Sequence, residues 1–241
     1  MTVGTVSISV GDLFSADNRQ TQTILFDIRL PRILLAICVG AVLSSTGAVM
    51  QGLFRNPLAD PSLIGVSSGA SVGASLMIVT AGGFIQSGAL LGLSLVAVGA
   101  FVGGFVATLL VYRLATSGIG TSVTTMLLAG IAIAAIAGAL NSLLSYFSDN
   151  DMLRQISLWQ MGNISGASWT KVSIMASVAL LLMSLFPRDS RALNALLLGE
   201  SEARHLGVDV QAVKRRLIIL TALGVGVCVA ELALRCFQEL I

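Results

Sequence analysis

The chain has 241 residues, of which 55% are hydrophobic and only 11% charged, and its formal net charge is +2. A soluble domain carries about a quarter charged residues, and the mean hydropathy here is +0.91. This excludes a soluble globular fold and leaves an integral membrane protein. The small net charge, with no basic patch interleaved with aromatics, points away from nucleic acid. Cys38 and Cys228 sit inside apolar runs and Cys236 lies near the C-terminus, so the cysteines read as reduced packing residues. His205 is the single histidine, which argues against a His-based metal or proton-relay site. No cofactor, metal or catalytic residue is expected.

In chain order, residues 1–32 come first as a polar, extracytoplasmic segment: Met1–Val10 alternates apolar and polar, and Gly11–Arg32 is mostly polar. It lacks a charged region followed by an apolar core, so it is not a secretory signal. Apolar runs follow at 33–52, 62–81, 88–112, 122–147, 170–187 and 214–230. Each approaches or exceeds the roughly 20 residues that cross hydrocarbon, which predicts an all-α, polytopic bundle of six transmembrane helices.

The break between the first two runs, Arg55 to Gly73, organises the rest. Pro57 and Pro61 forbid a continuous helix. Asp60 or Ser62 can cap the helix that restarts, with Pro61 in its first turn. Gly65, Gly69 and Gly73 are spaced four apart and predict a bare helix face for close packing in lipid. Gly40/Ser44/Ala48, Gly99/Gly103 and Gly130/Ala134/Gly138 repeat the spacing. Such tight packing places any wide passage between subunits or opens it only transiently.

Lysine and arginine set the orientation. With the 188–216 loop in the cytoplasm, that side carries Arg55, Arg113, Arg188, Arg191, Arg204, Lys214, Arg215 and Arg216, eight against five (Arg19, Arg29, Arg32, Arg154, Lys171) on the other. The N-terminal segment then lies outside, which calls for a further helix upstream of Met1. The central parts of the first five helices hold no Asp, Glu, Lys or Arg. An ion-coupled carrier, one competing reading, would use such a residue at the midplane. Gln51, Asn141 and several Ser/Thr remain as polar lining. A non-transporting membrane anchor is the third reading.

Two loops complete the pattern. In 148–171, Trp159 and Trp169 bracket a Gly/Ser/Asn turn and read as interfacial belt residues, with a short helix on the outer face around 151–161. In 188–216, Glu200, Ala203 and Arg204 fall on neighbouring turns of a short amphipathic helix, and Gly207 suits its left-handed C-terminal position. That helix reads equally as a solvated connector or as a docking element for a cytoplasmic partner.

Taken together, these segments resemble the FecCD family, the permeases of type II ABC importers for iron–siderophore, haem and cobalamin. The matching pieces are Arg29-Leu30-Pro31-Arg32; Gln51-Gly52-Leu53-Phe54-Arg55-Asn56-Pro57-Leu58-Ala59-Asp60-Pro61 through Gly65-Val66-Ser67-Ser68-Gly69-Ala70; Leu128-Ala129-Gly130; the Trp159–Trp169 segment; and Leu198-Gly199-Glu200 through Ala203 to Leu206-Gly207. The Arg55–Ala70 match is highly specific.

The resemblance implies a type II ABC importer permease bundle, of about ten helices per subunit in the family, working as a homodimer or a heterodimer with a related permease. The path lies at the dimer interface, and the helix at 122–147 corresponds to one that lines it. Gly199, Glu200, Ala203, Arg204, Leu206 and Gly207 would form the loop that sits in a groove of the ABC ATPase subunit. Arg29 and Arg32 would pair with glutamates of a periplasmic or lipoprotein substrate-binding protein. Gly65, Gly69, Gly73, Gly130 and Gly138 would pack helices in membrane lipid. No glycine-rich Walker sequence is present, so ATP hydrolysis belongs to the partner. The implied cargo is an iron chelate, siderophore or haem, with cobalamin as the alternative. Residues 33–230 form the permease domain on this reading. Against the family pattern the chain starts one helix late, and Glu231–Ile241 does not match the Gly-rich continuation. It is therefore expected to be truncated at both ends and to give no uptake in this form.

Overall fold

In a computed structural model the described residues are 22–80, 90–118, 120–162 and 166–233. The stretch before residue 22, the Gly/Ser/Asn turn at 163–165 and the tail from 234 lie outside them. The described chain is a helical bundle whose only strands are a two-residue hairpin pair.

The first helix, α1 (Leu30–Phe54), is longer than the apolar run at 33–52, because π-helical turns at Ile24–Arg29 continue it towards the N-terminus. Pro31 is tolerated because it stands in the first turn of the α-helical part, where its missing N–H is not needed. Arg29 and Arg32, expected just before a helix, lie within this one. At its other end Arg55 adopts a left-handed conformation (φ 50°) and its N–H returns to the Gln51 and Gly52 carbonyls.

The polar break is a chain of local hydrogen bonds. Asn56 Oδ1 accepts from Leu58 N–H at 2.9 Å, and Asp60 Oδ1 accepts from Ser62 N–H at 2.7 Å. Asp60 is thus the cap, and what it caps is a single 3-10 turn, Pro61–Ile64. Gly65 ends that turn at φ 82°, a conformation that costs other residues about 1–2 kcal/mol. The α-helix proper, α2 (Val66–Thr80), begins after it. Gly65 therefore belongs to the turn rather than to the bare face.

Further along come α3 (Leu90–Ala115), α4 (Val123–Tyr146), α5 (Asn150–Met161), α6 (Trp169–Leu185) and α7 (Ser190–Leu198). A 3-10 turn at Phe186–Asp189 links α6 to α7 around Pro187. The described residues end with α8 (Glu200–His205) and α9 (Val210–Ala233). Between α3 and α4, β1 (Thr116–Ser117) pairs antiparallel with β2 (Gly120–Thr121).

Of the six predicted spans, four meet the length and hydropathy of a crossing: Ile24–Phe54, Leu95–Ala115, Val123–Tyr146 and Trp169–Leu198. Val66–Thr80 is a shorter apolar helix. Helix α9 carries Lys214, Arg215 and Arg216 in its first turns.

The most extensive packing in the bundle is α2 against α3. Its cause is glycine facing glycine. A methyl group added at Gly69 would overlap the Gly103 carbonyl oxygen, one at Gly73 the Gly99 carbonyl, and one at Gly103 the Gly69 carbonyl. Backbones meet directly, as lipid-embedded helices require when no hydrophobic effect drives them together. Gly130 of α4 lies equally close to the Leu63 carbonyl. Gly138 differs: nothing stands within 4 Å of its missing side chain. The main core gathers Leu35, Val42, Met50, Ile64, Met126, Met175 and Leu217 from α1, the 3-10 turn, α4, α6 and α9.

Candidate functional site

The loops predicted to be cytoplasmic meet at one end of the bundle. Gly52 packs beneath Leu193 of α7, Arg216 donates to Asp189 Oδ1 at 2.8 Å, and Lys214 donates to the Thr121 carbonyl at 2.7 Å. This end collects Arg55, Arg188, Arg191, Arg204 and the Lys214–Arg216 run. Alternating helix direction then puts α5 and the starts of α1 and α6 at the opposite end. There Lys171 is buried and donates to the Glu231 carbonyl at 2.7 Å, with the Glu231 carboxylate 4.0 Å away.

At the charge-rich end, α8 is held between two glycines that lack side chains for a conformational reason. Gly199 (φ 135°) lets the chain turn sharply from α7 into α8. Gly207 (φ 80°) closes it: Gly207 N–H bonds the Arg204 carbonyl at 2.9 Å and Val208 N–H bonds the Ala203 carbonyl at 3.0 Å. These are the paired bonds of a Schellman ending, the left-handed position read from the sequence. Ala203 is fully buried beneath the helix, and Glu200 and Arg204 approach one turn apart at 3.8 Å. Outward, the element presents Leu197, Leu198 and Leu206, all more than half exposed. Leu58 of the polar break is 86% exposed. Apolar side chains standing out among arginines make an anchoring surface of the kind a protein groove accepts.

Lys214 is the residue that sequence reading missed at this end. It counted only as a loop charge, yet it is 1% exposed and its ammonium reaches Glu200 Oε1 at 2.5 Å. Its partners lie 14 and 93 positions away, beyond any local pattern.

Nearer the opposite end lies a polar cleft of about 860 Å³ between α2, α4 and α5, lined by Ser67, Ser71, Asn141, Ser142, Trp159 and Gln160 among others. Asn141 Nδ2 donates to Ser71 Oγ at 3.0 Å. Asn141 Oδ1 and Trp159 Nε1 have no partner among the described residues. Asn141 was read as polar lining, and Gly138 opens the same wall. Trp159 corrects the interfacial reading: it is 8% exposed and packs with Ile156 on Ala70, Ala74 and Ile78. The cause is the amphipathicity of α5, which turns its apolar face onto α2. Trp169, 47% exposed, is free of that packing. At the same end Arg29 is half-buried and Arg32 exposed, and both take part in interactions. Among the described residues no group of three His, Cys, Asp or Glu could hold a metal ion.

A family model described as the FecCD transport family matches residues 1–232. The chain is 42% identical over 229 residues to the hemin transport system permease protein HmuU of Yersinia pestis, covering 95% of this chain and 67% of that one. It is 39% identical over 209 residues to the cobalamin import system permease protein BtuC of Halobacterium salinarum, covering 87% and 54%. To the vitamin B12 import system permease protein BtuC of Citrobacter koseri it is 39% identical over 224 residues, covering 92% and 64%. The chain thus spans between about half and two thirds of the length of these relatives. A solved structure described as an inward-facing metal-chelate type ABC transporter matches with TM-score 0.78 at 35% identity, covering 95% of this chain and 68% of the other.

Proposed function

Because the chain belongs to the FecCD transport family and is an all-α, multi-pass protein of the inner membrane, we propose that it is the permease subunit of an ABC importer driven by a separate ATPase. The observation that carries this is the α7–α8 element. It is pinned from below by Ala203 and Glu200, bounded by Gly199 and Gly207, and exposes Leu197, Leu198 and Leu206 towards the cytoplasm. That is what a docking element needs: a rigid base and an apolar, exposed tip.

The cargo on this reading is an iron chelate, siderophore or haem. The relative described as a hemin permease is 42% identical and those described as cobalamin permeases 39–40%, which supports haem first and cobalamin second. Helix α4 lines the path, and its exposed Leu128, Ile131, Ile136 and Leu143 face lipid or a second permease, as homodimer or heterodimer. Residues 33–230 make up the permease domain. The central parts of the first five predicted helices carry no Asp, Glu, Lys or Arg, which disfavours an ion-coupled carrier. Uptake of labelled haem into vesicles holding the full-length permease that contains this chain, with its ATPase and binding protein, tests the cargo: haem import resisting competition by cobalamin is expected, and the reverse order would assign cobalamin.

Arg29 and Arg32 are the proposed contacts of the binding protein. Replacing both by glutamate should weaken association with that protein about tenfold or more at low salt, and less at high salt, since exposed charges are screened. An unchanged pull-down of the binding protein would leave the two arginines as helix anchors only.

A further inference from the structure

We propose that Lys214 is a positioning residue that ties the docking element α7–α8 to the start of α4, so that movement of one is passed to the other. The inference rests on the importer reading and adds a route to it. Lys214 Nζ is the single atom through which that route runs: it bonds Glu200 Oε1 at 2.5 Å on one side and the Thr121 carbonyl at 2.7 Å on the other. Glu200 opens α8. Thr121 immediately precedes Ser122, the cap of α4, whose hydroxyl accepts the Thr125 N–H. Thr121 is also clamped from behind, its N–H donating to Gln211 Oε1 at 2.9 Å from the same helix as Lys214. One ammonium thus joins α8 and α9 to Thr121 of β2, the residue before the cap of α4.

Burial makes the arrangement costly unless it does something. Lys214 is 1% exposed, whereas its neighbours Arg215 and Arg216 are exposed. Glu200 is partly exposed, so it is the lysine that bears the desolvation cost. Buried ion pairs can often be replaced by apolar side chains without loss of stability, so stability alone does not explain a lysine here. An ammonium on a flexible stem keeps both oxygen partners while they shift, which a rigid, planar guanidinium does less well.

The test is the amount of substrate imported per ATP hydrolysed, in the full-length permease that contains this chain, assembled with its own ATPase and binding protein. Lys214→Met removes both bonds at similar volume and should lower that ratio at least tenfold, with Lys214→Arg restoring part of it. A purely structural role would lower complex yield and leave the ratio of the remaining complexes unchanged, and that result overturns the proposal. Hydrogen exchange on the solubilised chain supplies a readout independent of import. Lys214→Met should speed exchange of the Thr121–Thr125 amides, and unaltered protection there overturns the link. If the wild-type complex imports nothing, the importer reading falls, and exchange at these amides alone decides the link.

Discussion

Gly73→Leu is expected to lower sharply the temperature at which the folded, monodisperse protein is lost from detergent extracts. A side chain at Gly73 meets the backbone of α3: it would overlap the Gly99 carbonyl and lie 3.2 Å from the Gly103 Cα. A carbonyl cannot turn aside as a flexible side chain can, so α2 and α3 must separate. Overpacking a rigid contact costs about 3 kcal/mol or more, and the loss extends to Gly69 and Gly103, which share the crossing. A melting midpoint about 6–12 °C lower follows for a chain of this length. Gly40→Ala is the control, since nothing lies within 4 Å of that position. Size-exclusion profiles after stepwise heating read both variants. Gly73→Leu melting with the wild type would mean that the glycine crossing does not hold the bundle.

In the full-length permease that contains this chain, Gly207→Val is expected to lower ATP-driven uptake about tenfold while membrane insertion stays normal. The space around Gly207 is open, so the penalty is conformational: φ 80° costs a β-branched residue about 1–2 kcal/mol or more. The chain can escape by abandoning the left-handed turn, which breaks the bonds from Gly207 and Val208 to Arg204 and Ala203 and swings α8 away from its seat. Gly207→Asn separates this cause from others, because asparagine tolerates the left-handed region. It should keep most of the uptake. Equal loss with Val and Asn would show that the turn conformation is not what matters, and unchanged uptake with Val would remove α8 from the working surface.

These two sites differ in how far the amino-acid sequence alone revealed them. The run at 122–147 became α4 at Val123–Tyr146, and the outer helix around 151–161 became Asn150–Met161, because composition, caps and length are local properties. Gly207 was legible for the same reason: a short helix followed by glycine names its own ending. Gly69 and Gly73 announced a bare face, but only the fold supplies its partner, Gly99 and Gly103. Gly65 shared their spacing and proved to be a turn residue, since Asp60 capping the Pro61–Ile64 turn shifts the true helix start to Val66. Trp159 was misread because aromatic residues near a membrane end suit an interface by composition alone. Its burial depends on which face of α5 meets α2. Lys214 was beyond local reading altogether, as its two oxygen partners come from α8 and β2, which only the assembled bundle brings together.

The claim that the α7–α8 element seats on an ATPase is tested most directly by a photo-cross-linking residue at Glu202, which is exposed on α8. In membranes containing the chain and the ATPase subunit of its system, illumination should join the two at position 202, in an amount that changes when ATP is added. The same probe at Asp151, exposed on α5 at the opposite end, should give no such adduct. An ATPase adduct from position 151 with none from 202 would contradict the account and place the docking surface at the other end of the bundle.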